Sequence, residues 1–82
     1  MGKRTIYRDQ TGLELLAERL KKVRKEQNFT QEKLAYESGL ALSQIARIEL
    51  AQINPTASTL FRISRTLGVK PSRLFDFELP ST

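Results

Sequence analysis

The stretch Gln31-Glu32-Lys33-Leu34-Ala35-Tyr36-Glu37-Ser38-Gly39-Leu40-Ala41-Leu42-Ser43-Gln44-Ile45-Ala46-Arg47-Ile48 decides the fold. Thr30 offers an N-cap before it, and Glu32 in the first turn suits the positive end of a helix dipole. The first helix therefore runs to Ser38, where Gly39 ends it. Gly39 supplies the positive φ that a tight turn between two steeply crossed helices needs. Ala35 is small where those helices must approach closely. Leu40 plugs the turn into the core. Leu42 to about Leu50 forms the second helix. Ile45 and Ile48 bury one face of it and leave Leu42, Ser43, Ala46 and Arg47 on other faces.

Outward from this segment, every signal is helical. Thr11-Gly12-Leu13-Glu14 reads as a capping box, in which the Thr hydroxyl covers a free amide and Glu14 reaches back. Leu13, Leu16, Leu20 and Val23 make one apolar stripe on a helix from about Gly12 to Gln27, with Asn28 as its left-handed terminator. Downstream, Asn54-Pro55 breaks the pattern. Thr56 caps a fourth helix whose stripe is Leu60, Ile63 and Leu67 and whose terminator is Gly68. Pro71 opens a short fifth helix to about Phe75. No segment reads as a strand. The expected fold is all-α, a five-helix bundle. A basic arm over residues 1–10 precedes a domain over 11–76, and residues 77–82 form a tail.

Composition narrows the function. The 82 residues contain neither cysteine nor histidine. That removes disulfides, zinc fingers, thiol chemistry and His-based acid/base or triad catalysis. The glycines are isolated, so no phosphate-cradling loop exists. The carboxylates fall mostly on polar faces without an acid/base pair. The chain is expected not to be an enzyme, and to need no metal or cofactor. No apolar run approaches the ~18 residues of a membrane span, so no membrane partner is expected. Fourteen Lys+Arg against nine Asp+Glu give a net charge of +5, which favours a polyanionic partner. The basic excess lies in residues 1–28 and 56–82, not in the centre. Phosphate-neutralising charge is thus expected from the arm, the first helix and the fourth. Two readings of the central pattern stand side by side: a helix-turn-helix that binds duplex DNA, and a plain helical bundle with no nucleic-acid role.

Residues 16–75 resemble the lambdoid phage repressor and Cro-type helix-turn-helix family, also called the Xre family. The resemblance is carried by Leu16-Ala17-Glu18-Arg19-Leu20, Val23-Arg24, Phe29-Thr30-Gln31-Glu32-Lys33-Leu34-Ala35, Ser38-Gly39-Leu40, Gln44-Ile45-Ala46-Arg47-Ile48-Glu49, Asn54-Pro55-Thr56, Leu60, Ile63, Leu67-Gly68-Val69 and Leu74-Phe75. It implies a lambda-repressor-like bundle whose third helix enters the major groove. The residues it places at DNA are Gln31, Ala41, Leu42, Ser43, Gln44, Ala46 and Arg47. Gln31 is expected on a phosphate, Leu42 on a thymine methyl or else in a hydrophobic contact within the protein, and Arg47 on guanine or a phosphate. Arg24 and Glu49 are expected to pair and, with Ala35 and Gly39, to support the reading helix.

Two departures from the family pattern matter. Ala41 cannot cap the third helix, and Ala51 stands where relatives usually have Gly. Either the loop is reshaped there or the third helix runs a turn longer. The resemblance further implies a homodimer on a palindromic operator. Leu50, Ile53, Phe75, Phe77 and Leu79 are its candidate contacts; for Ile53, and for Phe75, Phe77 and Leu79 at the end of the chain, the alternative is packing on the chain's own core. Function is read as sequence-specific transcriptional regulation in the cytoplasm of a bacterial or phage-infected cell. The alternative is an antitoxin that binds a protein toxin, through residues 76–82 or the arm, as well as its operator. RNA binding through the basic first helix is disfavoured, because no aromatic platform adjoins Lys21, Lys22 and Lys25.

Overall fold

The computed structural model describes residues 7–81. Among them are four α-helices: α1 (Gln10–Glu26), α2 (Gln31–Ser38), α3 (Leu42–Glu49) and α4 (Ala57–Leu67). A single 3-10 helix spans Pro71–Phe75 where a fifth helix was expected. Pro71 sets its first φ, but five residues leave no room for a second α-helical turn. No strand occurs among the described residues. The arm residues Lys3 and Arg4 lie outside them.

The start of α1 differs from the capping-box expectation. Asp9, not Thr11, is the N-cap, and its Oδ1 accepts from the Gly12 amide at 2.8 Å. A carboxylate covers the amide, and it also sits at the positive end of the helix. Thr11 lies in the first turn and the helix ends at Glu26. The caps of α2 and α4 are the expected ones. Thr30 accepts from Lys33 and Thr56 from Thr59. No side-chain hydrogen bond caps α3 at Ala41.

Three chain reversals use the same device. Asn28 (φ 62°), Ala51 (φ 57°) and Gly68 (φ 72°) are all left-handed. After each helix, two backbone amides turn back onto its last carbonyls: Asn28 to Lys25 and Phe29 to Arg24, Ala51 to Ile48 and Gln52 to Arg47, Gly68 to Arg65 and Val69 to Ser64. This double closure satisfies carbonyls that would otherwise be orphaned. At Ala51 neither sequence expectation holds. α3 stops at Glu49, and the loop takes the turn that glycine would make, at a cost of about 1 kcal/mol for the alanine Cβ.

The core gathers Leu16, Leu20 and Val23 of α1, Leu34 and Ala35 of α2, Ile45 and Ile48 of α3, and Leu60, Ile63 and Leu67 of α4, with Leu74 beneath. Leu13, the first residue of the expected α1 stripe, is only half-buried. α3 packs on α1 and α2. α4 packs on α2 and on the 3-10 helix, which also seals α1. Ion pairs of Arg19 with Asp76 and of Arg73 with Glu26 fasten that last contact.

The uncapped start of α3 gives a stability prediction. Ala41→Ser restores the missing cap and should raise the unfolding free energy by about 1 kcal/mol. Urea denaturation monitored by far-UV circular dichroism measures it, with an unchanged m-value expected.

Candidate nucleic-acid interface

α3 is eight residues long and is braced from behind. Ile45 and Ile48 are buried. The opposite side presents Ala41, Leu42, Ser43 and Arg47 to solvent, with Gln44 and Ala46 half-buried at its edges. Leu42 is 43 % exposed. The structure therefore brings six of the seven sequence-selected DNA residues onto one outward surface. Gln31, the seventh, opens α2 beside the end of α3.

Gly39 (φ 76°) makes the turn between α2 and α3. The Ser38 hydroxyl accepts from the Leu40 amide at 3.2 Å, and the Arg62 Nη1 donates to the Ser38 carbonyl at 2.8 Å. A cation from α4 thereby satisfies the negative end of α2. Ala35 is buried at the α2 crossing, as its size requires.

The base of α3 is held by a buried ion pair. Arg24 Nε donates to Glu49 Oε2 at 2.6 Å and Arg24 Nη2 to Glu49 Oε1 at 2.9 Å. The two residues are 7 % and 4 % exposed. Arg24 Nη1 also donates to the Phe29 carbonyl at 2.8 Å, and Gln31 Nε2 donates to Glu49 Oε1 at 2.9 Å. One carboxylate thus takes three donors, and it joins α1, the α1–α2 turn, the start of α2 and the end of α3. A fork-to-fork pair is the strongest geometry available to these groups. The Gln31 amide, expected on a phosphate, is bound to Glu49 in the free protein. Its second N–H stays available.

Some contacts had no signal in the sequence. Arg8 Nη2 and Gln10 Nε2 both donate to the Ala51 carbonyl, at 3.1 and 3.0 Å, across 43 and 41 residues. The Gln31–Glu49 and Arg62–Ser38 bonds likewise span 18 and 24 residues. No local pattern encodes such pairings.

Of the candidate dimer residues, Ile53 and Phe77 pack against the chain's own core. Leu50, Phe75 and Leu79 stay exposed. Phe75, Phe77 and Leu79 edge an apolar groove of about 460 Å³, whose floor includes Leu13, Leu16 and Leu60.

A short outward-facing helix set by a glycine turn on a second helix, with aliphatic packing behind, is the arrangement of a helix-turn-helix domain. Comparison with known proteins agrees: residues 20–74 match the helix-turn-helix family HTH_3, and the chain belongs to that Xre-type family. It is similar to the immunity repressor protein of Bacillus phage phi105, with 37 % identity over 59 residues, 72 % of this chain. The match spans 41 % of the length of that repressor. It is also similar to control protein C.BamHI of Bacillus amyloliquefaciens, with 36 % identity over 64 residues, covering 77 % of this chain and 79 % of the other. Among solved structures it is similar to the restriction–modification controller protein C.Esp1396I, captured as a tetramer on its natural 35 base-pair operator. The TM-score is 0.71 and the identity 36 %, over 78 % of this chain and 84 % of that one.

The buried pair predicts an asymmetric response to mutation. Glu49→Ala strands the Arg24 guanidinium and should cost about 3–5 kcal/mol. Replacing both residues together, Arg24→Met with Glu49→Leu, should cost clearly less than the single change. Equilibrium urea unfolding of both variants checks the order.

Proposed function

We propose that this protein is a transcriptional regulator, a repressor or controller, that binds a palindromic operator in double-stranded DNA as a homodimer with α3 in the major groove. The observation that carries the reading is the outward placement of Leu42, Ser43 and Arg47 on a helix braced behind by Ile45 and Ile48. The names of the relatives, a phage repressor and restriction–modification controllers, favour it over the antitoxin reading.

The roles follow from chemistry. Arg47 is the one cation on the face of α3, and its guanidinium fits guanine O6 and N7. Leu42 and Ala46 lie one turn apart and form an aliphatic strip. The major groove offers such a strip one apolar feature, the thymine methyl. Ser43 and Gln44 supply short polar contacts to base edges or phosphates. The Gln31 amide, aimed by Glu49, reaches the backbone with its free N–H. Lys33 stands nearby, its Nζ 4.5 Å over the Phe29 ring. The DNA-binding unit is wider than the expected residues 11–76, because Asp9 caps α1, Gln10 opens it and Phe77 packs on the core.

A second copy is the proposed cover for the groove edged by Phe75 and Leu79. Dimerisation sets two α3 helices about 34–36 Å apart, one turn of duplex. Leu50 is a further candidate contact, and Ile53 and Phe77 back the surface from within.

Selection of bound duplexes from a random pool tests the function directly, with a two-fold symmetric sequence as the expected result. Asymmetric or unenriched pools would defeat the proposal. On the selected duplex, Arg47→Ala should cost about 1–3 kcal/mol and relax preference at one position per half-site. Exchanging thymine for deoxyuridine at the positions facing Leu42 and Ala46 should weaken binding roughly threefold per methyl, and Leu42→Ala should reduce that sensitivity at the position facing Leu42 while leaving the Ala46 position unchanged. For the dimer, Leu79→Glu should shift sedimentation toward monomer while leaving the circular dichroism spectrum intact.

A further inference from the structure

We propose that Arg8 and Gln10 are positioning residues for the reading helix, acting through the carbonyl of Ala51. The observation is a closed array of three hydrogen bonds. Arg8 Nε donates to Gln10 Oε1 at 3.0 Å, and Arg8 Nη2 and Gln10 Nε2 converge on the Ala51 oxygen. Each donor orients the other before either meets the loop. Their target is the one left-handed residue with a Cβ that is neither Asn nor Gly among the described residues. Ala51 is 5 % exposed, so it cannot relax outward without uncovering its methyl group.

The turn at Ala51 is mechanically tied to α3. The Ala51 amide donates to Ile48 at 3.0 Å and the Gln52 amide to Arg47 at 2.9 Å. Those two carbonyls belong to the last turn of α3, the turn that carries the Arg47 side chain outward. Alanine in this conformation is disfavoured by its own sterics. Two donors on its carbonyl oppose its flipping back toward the right-handed region. The latch therefore fixes where α3 ends, and with it the angle at which Arg47 leaves the helix. It also makes Arg8 and the first residue of α1 part of the reading head without requiring them to touch DNA.

The proposal rests on α3 being the reading helix, and the test separates the two. Backbone amide exchange is measured by NMR on the free full chain for the wild type, Arg8→Ala and Gln10→Ala, each also with Ala51→Gly. Binding is measured by titration against the palindromic duplex that the wild-type chain selects, at several salt concentrations. With Ala51 present, both variants should speed exchange at Ala51 and Gln52 by roughly three- to tenfold and weaken duplex binding by a similar factor. Exchange at the core amides of Leu20 and Ile63 should stay unchanged. With Ala51→Gly, glycine holds the turn unaided, and both losses should shrink. Unaltered exchange at Gln52, or equal losses in the Ala51 and Gly backgrounds, would overturn the latch. So would a pattern in which Arg8→Ala alone loses affinity and its salt slope falls by about one, because that is a direct phosphate contact. If the wild type selects no duplex, the reading-helix assignment falls, and exchange at Gln52 still decides whether the array holds the turn.

Discussion

Three segments of this small fold meet at the carboxylate of Glu49. Arg24 reaches it from α1, Gln31 from the start of α2, and Glu49 itself closes α3. Taking two charges out of water costs several kcal/mol per ion, and only complete hydrogen bonding offsets that. Here the offset is nearly complete, because the guanidinium uses its fork on Glu49 and its remaining arm on the Phe29 carbonyl. Such a pair contributes little net stability compared with an aliphatic cluster. What it contributes is register. A charge buried at one point opposes sliding of α3 against α1, because a shift would strand the guanidinium away from its carboxylate.

The same economy governs the helix ends. A domain with four short helices has many terminal carbonyls and little protein with which to cover them. Three of its chain reversals solve this with a left-handed residue and a pair of returning amides. Asparagine and glycine tolerate that geometry at two sites. At the third, alanine is forced into it, and side chains from the far end of the sequence brace the carbonyl. The strained site adjoins the helix that faces outward.

How much of this could be read from the residues alone depended on range. Local grammar was legible: the Thr30 and Thr56 caps, the Gly39 and Gly68 stops, and the aliphatic stripes of α3 and α4 all lie within one or two helical turns. Arg24 with Glu49 was legible only through the family pattern. The start of α1 was misread because Asp9 and Thr11 both offer caps, and the sequence contains no measure of which hydroxyl or carboxylate wins. At Pro71 the residues announce a short helix but not its type, because proline suits the first turn of an α-helix and of a 3-10 helix alike. Ala51 was ambiguous for a different reason: its conformation depends on Arg8 and Gln10, more than forty positions away. Periodicity separates Leu42, Ser43, Ala46 and Arg47 from the buried Ile45 and Ile48, whereas their assignment to DNA came only through the family resemblance. Which atom each would touch was not legible.

The division of labour within α3 has an evolutionary consequence. Leu42, Ser43 and Arg47 stand clear of the core, while the residues that secure the helix, Ile45, Ile48 and Glu49, are all buried. Exchanges among the first group leave the folding free energy nearly untouched. If those three side chains read the target as proposed, such a scaffold drifts from one target to another by single substitutions, each intermediate remaining a folded protein.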